Sequence, residues 1–141
     1  MRLWHQILIP YLDAKRLLSQ HRECCALRGN GWGGGKKHST IDYVFKHSPG
    51  WLFEYHAIVI GEMFSRGYAP DVKWLERLYR GQSVHSWSFI EACDTSPFQR
   101  IYPEHNDKYL KECLLNLKSK NAELVNDKTI DEWLIELDLK I

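Results

Sequence analysis

The segment SPGWLFEYHAIVIGEMFSRG, residues 48–67, predicts the clearest helix of this chain. Ser48 is a typical N-cap residue, and Pro49 suits the first helical turn because its missing N–H would have no partner there. Gly67, directly after Arg66, is a typical helix end. The residues that recur at helical spacing between these ends are Leu52, Phe53, His56, Ile60, Met63 and Phe64.

Helical spacing also predicts helices on both sides of this segment. Residues 13–28 carry a first series at three- and four-residue steps, and Gly29 ends it. Residues 109–117 carry another series. Thr129, with Glu132 three residues later, forms a capping box that begins a last helix.

The remaining segments are less regular. Residues 70–79 predict a shorter amphipathic helix closed by Gly81, whereas residues 82–103 predict a long connection. No alternating run is long enough for a sheet. We therefore expect an all-α fold, a compact single-domain bundle of four to five helices over residues 1–141, in which residues 121–141 form a C-terminal helix.

Composition favours a soluble, intracellular protein. The hydrophobic content is 44%, which is ample for a core, but the longest early aliphatic run, Ile7-Leu8-Ile9, is too short for a signal peptide or a membrane span. Four cysteines form no CxxC pair, which indicates reduced thiols. We expect a cytoplasmic monomer with no membrane contact and no obligate protein partner.

Charge is distributed unevenly along the chain. Residues 1–50 carry eight Lys or Arg against three Asp or Glu, residues 51–100 five against six, and residues 101–141 six against nine. Such asymmetry can mark a surface that binds a polyanion, although the same charges also serve solubility.

The most unusual stretch is HRECCALRGNGWGGGKKH, residues 21–38. Its glycines match GxGxxG, but a dinucleotide site needs a strand before them, and here a helix precedes. A Walker loop would need Gly at position 30 and Ser or Thr at 37, where the chain has Asn30 and Lys37. His21, Cys24 and Cys25 share a helix face without a second ligand cluster. We predict no metal and no cofactor.

The N-terminus offers a different chemistry. Initiator methionine is generally removed only before a small residue, so Met1 is expected to stay in front of Arg2. An α-amine has a pKa of about 7.7 to 8.0, so roughly a third of it is neutral near pH 7.5. A neutral amine is a ready nucleophile for imine formation.

The order and spacing of four motifs resemble the pyrimidine-dimer DNA glycosylase family of the phage endonuclease V type. The motifs are Arg2, Arg22-Glu23 on the first helix, FKHSPGWLFEYHAIVIGEMFSRGY at 45–68, and the segment from Tyr102-Pro103 to Lys118. The resemblance spans most of residues 1–120. It implies an all-α enzyme with glycosylase and coupled abasic-site lyase activity, which needs no cofactor.

The resemblance also implies roles for individual residues. The α-amine of Met1 matches the family's nucleophile, which attacks C1′ of the lesion's 5′ nucleotide and forms a protein–DNA imine. Glu23 matches the catalytic carboxylate that stabilises the cationic sugar and assists proton removal at C2′. Arg2 and Arg22 match arginines that hold the phosphates around the lesion.

Further basic residues are candidate DNA contacts. Arg16 falls on the helix stripe of Ser19 and Glu23, at i, i+3 and i+7. Arg28, Lys36 and Lys37 would extend the basic track beyond the helix, and solubility is the alternative role for them. By the resemblance, Lys118 matches a basic residue near the end of the family's later helix.

The chain also departs from the family's pattern. A family member begins with Thr after methionine removal and carries a Pro and an Arg soon after the helix glutamate, where this chain has Met1 and Cys24-Cys25-Ala26. That member has an aromatic-rich C-terminus that helps cradle the lesion, whereas residues 121–141 here are acidic with one aromatic, Trp133.

The function expected from the sequence is repair of UV-type pyrimidine dimers in double-stranded DNA by a glycosylase with β-elimination lyase activity. Two alternatives remain open. The same imine chemistry would serve another damaged or modified base, or the scaffold would bind DNA without catalysis.

Overall fold

The structure, a computed structural model, describes residues 2–29 and 40–140. No strand occurs within these ranges, and the prediction of an all-α fold is confirmed. None of the described helices is long and apolar enough to cross a membrane. The α-helices are α1 (Ala14–Gly29), α2 (Pro49–Ser65), α3 (Phe89–Ala92), α4 (Asp107–Ser119) and α5 (Ile130–Lys140). Short 3₁₀ helices span Gln6–Tyr11, Asp42–Lys46 and Val72–Leu75.

Helix α2 has the ends that its sequence predicts. The Ser48 hydroxyl accepts a hydrogen bond from the Gly50 N–H at 3.1 Å, and Pro49 occupies the first turn. Arg66 is the C-cap residue, and Gly67 follows with φ +89°, a left-handed conformation that favours glycine. The helix is fixed locally at both ends, independently of its packing.

The core lies between α2 and the helices around it. Helix α1 packs along α2 and buries Leu17, Cys24 and Leu27, while α4 and α5 pack on each other. Helix α4 buries Leu110, Cys113, Leu114 and Leu117, and these residues join the same apolar cluster. Burying a side chain of this size contributes about 1.5–3 kcal/mol, so packing rather than helix propensity holds the bundle together.

The prediction of an amphipathic helix over residues 70–79 is wrong. Only Val72–Leu75 is helical there, as a 3₁₀ turn. The physical reason is Arg28, whose guanidinium donates to the carbonyl oxygens of Trp74, Glu76 and Tyr79. Because these carbonyls accept from a side chain of another helix, they do not accept the backbone N–H bonds of a continuous α-helix.

The expected long connection over residues 82–103 contains a helix that periodicity missed. Helix α3 is a single turn closed by a capping box, in which Ser88 and Glu91 bond each other's backbone N–H. The turn lies against the start of α2, where Gly50 is in close contact with the carbonyls of Ala92 and Asp94. Its capping residues are visible in the sequence, but four residues are too few to show a helical period.

Candidate active site

A cleft of ≈ 490 Å³ lies between the N-terminal segment, one face of α1 and the end of α4. Polar and basic side chains dominate it. Its lining residues are Arg2, Trp4, Lys15, Arg16, Ser19, Gln20, Glu23, Thr40, Asn116 and Lys120. The cleft therefore joins parts of the chain that are distant in sequence.

The cleft brings together three of the sequence-predicted site residues, Arg2, Arg16 and Glu23. Arg16 and Glu23 lie on the same stripe of α1, and Ser19 lies between them, as their spacing predicts. Glu23 is half-buried. Arg16 bonds Asp13 at 3.0 Å, so part of its charge is already compensated.

Two lysines of the cleft were not predicted from the sequence. Lys15 is the neighbour of Arg16, and its position in the basic first third of the chain was a usable signal. Lys120 is the C-cap residue of α4 and reaches the cleft from the far end of the chain, which no local pattern indicates. Among the described residues that line the cleft, these two lysines, Arg2 and Arg16 are four cationic side chains, against the single carboxylate of Glu23.

The segment that leads into the cleft, residues 2–4, is tied to three helices. The carbonyl oxygen of Arg2 accepts from Gln20 Nε2 of α1 at 3.0 Å. The next carbonyl, that of Leu3, accepts from the Tyr109 hydroxyl of α4, and the carbonyl of Trp4 accepts from the Tyr55 hydroxyl of α2 at 2.6 Å. Successive residues are thus fixed from different directions.

The side chain of Arg2 is held as firmly as its backbone. Its guanidinium carbon lies 5.9 Å from the ring centroid of Trp4 and 5.7 Å from that of Tyr109. Cation–π contacts of this kind stabilise by about 0.5–2 kcal/mol each. Arg2 therefore presents a preorganised cation at the cleft.

A family model described as pyrimidine dimer DNA glycosylase matches residues 1–76. The chain belongs to the pyrimidine dimer DNA glycosylase family. No curated protein and no solved structure matches it. The matched region holds Arg2, all of α1 and all of α2, whereas Asn116 and Lys120 of the cleft lie beyond it. Membership indicates a DNA glycosylase that binds damaged DNA.

Apart from Arg28, five predicted site residues of this glycosylase are not among the described lining residues of the cleft. Met1, Lys36 and Lys37 lie outside the described residues. Lys118 lines a different surface pocket, where its Nζ lies 2.9 Å from Asp131. Arg22 is exposed on α1 next to Glu23, without lining the cleft.

Arg28 corrects a prediction. Its side chain has no exposed surface, and its guanidinium bonds Trp74, Glu76 and Tyr79 at 2.7–2.9 Å. Burial lowers the pKa of Arg28 to about 10, so the group is still charged at pH 7. A guanidinium enclosed in this way cannot reach a phosphate, and the prediction that Arg28 contacts DNA is wrong. It anchors residues 74–79 to α1.

Three potential metal ligands, His21, Cys25 and His56, lie together between α1 and α2. Arg28 donates to Nδ1 of His56 at 3.0 Å, and because a guanidinium can only donate, the neutral ring carries its proton on Nε2. This Nε2 then donates to Nδ1 of His21 at 2.9 Å. A metal at His56 would have to displace that proton, and a ligating histidine normally donates, rather than accepts, through its other nitrogen.

Cys25, the half-buried thiol of the same cluster, is protonated and bonded to a histidine. Burial raises the pKa of the Cys25 thiol to about 11, so it is protonated at pH 7 and is a poor nucleophile. Its sulfur lies 3.7 Å from Nε2 of His21, at the end of the hydrogen-bond chain that starts at Arg28. The cluster is consistent with a structural role at the interface of α1 and α2.

Proposed function

We propose that this protein excises pyrimidine dimers from double-stranded DNA and cleaves the resulting abasic site through an imine to its N-terminal α-amine. The observation that carries the proposal is that Glu23 and the tethered residue Arg2 line one cationic cleft. Residue 1 is joined to Arg2 by one peptide bond, and the proposal assigns its α-amine to the substrate bound in this cleft. The nucleophile of Met1 and the carboxylate of Glu23 would then serve one substrate.

The reaction proceeds by exchange of bonds at C1′. The amine nitrogen attacks C1′, the glycosidic bond breaks, and its electron pair leaves with the base, which is protonated. Loss of the amine proton and opening of the sugar ring give the imine. Removal of a C2′ proton then expels the 3′ phosphate, and water hydrolyses the imine to release the enzyme. The carboxylate of Glu23 stabilises the cationic sugar and assists the proton transfers.

The cations of the cleft bind the DNA backbone. A lesion must be distorted and a nucleotide extruded to expose C1′, which costs a few kcal/mol and is easiest at damaged sites. Contacts from Arg2, Arg16, Lys15 and Lys120 to phosphates would stabilise that distorted backbone. Selectivity for damage then depends on deformability more than on base contacts.

A matched pair of lysines tests this backbone contact. Lys120→Gln is expected to reduce the slope of log K against log[salt] for abasic duplex by about 0.9, because one phosphate contact is lost. Lys118→Gln, which removes a lysine from the same helix but outside the cleft, is expected to leave the slope unchanged. Fluorescence anisotropy over several salt concentrations measures both slopes, and equal slopes for the two variants would contradict the assignment of Lys120.

Borohydride trapping tests the imine. Tag-free protein whose N-terminal Met1 is verified by mass spectrometry is mixed with UV-irradiated, undamaged and abasic duplexes. A covalent adduct at the Met1 amine on irradiated and abasic DNA, and none on undamaged DNA, is the expected result. Glu23→Gln is expected to retain binding but lose turnover, and Glu112→Gln, an exposed glutamate on α4, is the matched control.

One observation favours a second candidate substrate. Trp133, the single aromatic residue of the last 21 residues, is buried and packs edge-on against Tyr11 at 5.3 Å. Helix α5 therefore offers no aromatic surface to a lesion among its described residues. Trapping on abasic DNA, without trapping on irradiated DNA, would favour imine chemistry on a different damaged base. No trapping on any duplex, despite a free N-terminus, would refute both enzymatic functions and leave a DNA-binding protein.

A further inference from the structure

Gln20 is a buried polar residue whose carboxamide bonds the N-terminal segment through both its nitrogen and its oxygen. Its side chain is 2% exposed. Its Nε2 donates to the carbonyl of Arg2 at 3.0 Å, and its Oε1 accepts from the N–H of Trp4 at 2.6 Å. One amide plane thereby pairs with two backbone groups, in the manner of a neighbouring strand.

Tyr55 completes this arrangement from α2. Its hydroxyl is 2.6 Å from the Trp4 carbonyl and 2.9 Å from Gln20 Oε1, and its ring is fully buried. Burial raises the pKa of Tyr55 well above its ordinary value, so the hydroxyl keeps its proton and remains a donor. The carboxamide of Gln20 has one orientation because the Trp4 N–H can only donate to its Oε1 and the Arg2 carbonyl can only accept from its Nε2.

The place of Gln20 on α1 distinguishes it from the other residues that hold this segment. Gln20 is three residues before Glu23 and lines the same cleft. One helical turn rises only about 5.4 Å, so Gln20 ties the backbone at Arg2 to the helix that carries the carboxylate. Tyr109 bonds the same segment from α4, a helix that does not carry Glu23.

We propose that Gln20 is a positioning residue that sets the α-amine of residue 1 at reacting distance from Glu23 and the sugar. The inference rests on the proposed imine mechanism. Gln20 acts through the backbone of Arg2, to whose carbonyl its Nε2 donates. Misplacement of a reacting group by about 1 Å can reduce a rate roughly 100-fold.

The first test is Gln20→Met, which keeps the length of the side chain and removes all of its hydrogen bonds. The rate of cyanoborohydride trapping on saturating abasic DNA should fall about 100-fold. The half-saturating DNA concentration should stay within about threefold, because the cationic side chains are untouched. Tyr43→Phe is the matched control, since it removes a hydroxyl bonded to His105 at 2.6 Å from the same core, and it should keep the wild-type rate.

The second test uses Gln20→Glu, and its result does not depend on whether the Gln20→Met variant folds. The carboxylate keeps the acceptor for Trp4 and loses the donor to Arg2, and only its protonated form restores that donor. The ratio of variant to wild-type trapping rate should therefore rise as pH falls from 9 to 6. A new charge that merely made the amine more basic would give the opposite trend, because the two amines become equally neutral at high pH.

The outcomes separate the inference from the proposed function. Absence of trapping by the wild-type protein overturns both. If the wild-type protein traps normally but the trapping rate of Gln20→Met falls only in proportion to its folded fraction, measured by urea denaturation, the inference alone is overturned. A Gln20→Glu ratio that is constant, or that rises with pH, likewise overturns it.

Discussion

Replacing Arg28 by methionine should destabilise the protein without changing how it binds DNA. The variant removes the hydrogen bonds that the guanidinium donates to the carbonyls of Trp74, Glu76 and Tyr79, at a cost of about 1 kcal/mol per bond. It also loses a cation–π contact with Trp74 at 5.0 Å, worth about 1 kcal/mol. The free energy of unfolding should therefore fall by about 4 kcal/mol. With an m value of about 2 kcal/mol/M, the urea midpoint falls by roughly 2 M.

The control for Arg28 is Arg22→Met, a change at an exposed arginine on the same helix. It should alter the free energy of unfolding by no more than about 0.5 kcal/mol. If Arg22 holds a phosphate, its loss should reduce the salt slope of DNA binding by about 0.9, whereas folded Arg28→Met should keep the wild-type slope. An Arg28→Met variant of normal stability with a reduced slope would refute the structural role of Arg28.

Two further predictions concern the fold. Burial lowers the pKa of His5 to about 4 and of His105 to about 3, whereas the unfolded imidazoles bind protons near pH 6.5. The stability they contribute is complete above pH 6.5 and should fall by about 2 kcal/mol per histidine between pH 7 and pH 5; urea midpoints independent of pH would contradict this. In Gly50→Ala the new Cβ would lie 2.1 Å from the Asp94 carbonyl oxygen, which should cost about 3 kcal/mol. Gly61→Ala, with nothing within 4 Å, should instead stabilise by about 0.5–1 kcal/mol, and thermal melts that rank the two variants alike would argue against this contact.

The sequence predicted the helices whose formation depends on local signals. Helix α2 begins directly after its N-cap residue Ser48 and ends before Gly67, because capping residues act within a few positions. Helix α5 begins after Thr129, whose hydroxyl accepts from the Glu132 N–H at 3.1 Å. Residues 70–79 also have helical spacing, but Arg28 binds their carbonyls. A distant buried side chain overrode a local pattern, and periodicity carries no information on such a contact.

The candidate site was predictable in part, where local spacing on a helix determines which side chains lie together. Arg16 and Glu23 share a helix face, so their spacing alone places them together, and the family resemblance supplied Arg2. Lys120 and Gln20 escaped prediction because their roles depend on tertiary contacts. The hydrogen bond from Tyr109 to Leu3, which ties the N-terminal segment to α4, joins residues 106 positions apart. The direction of such a contact cannot be derived from a periodic pattern.

The charge balance of the cleft connects binding with chemistry under the proposed mechanism. The proposed attack needs a neutral amine, and nearby cations disfavour the protonated form of an amine whereas a nearby carboxylate favours it. Under this mechanism an excess of cations over carboxylates would favour a neutral nucleophile in the free enzyme. Under the same mechanism, DNA phosphates would neutralise those cations, and the carboxylate of Glu23 would become the dominant charge as the cationic sugar develops. Four cations around one carboxylate thus suit both the attack, which needs a neutral amine, and the positively charged intermediates that follow.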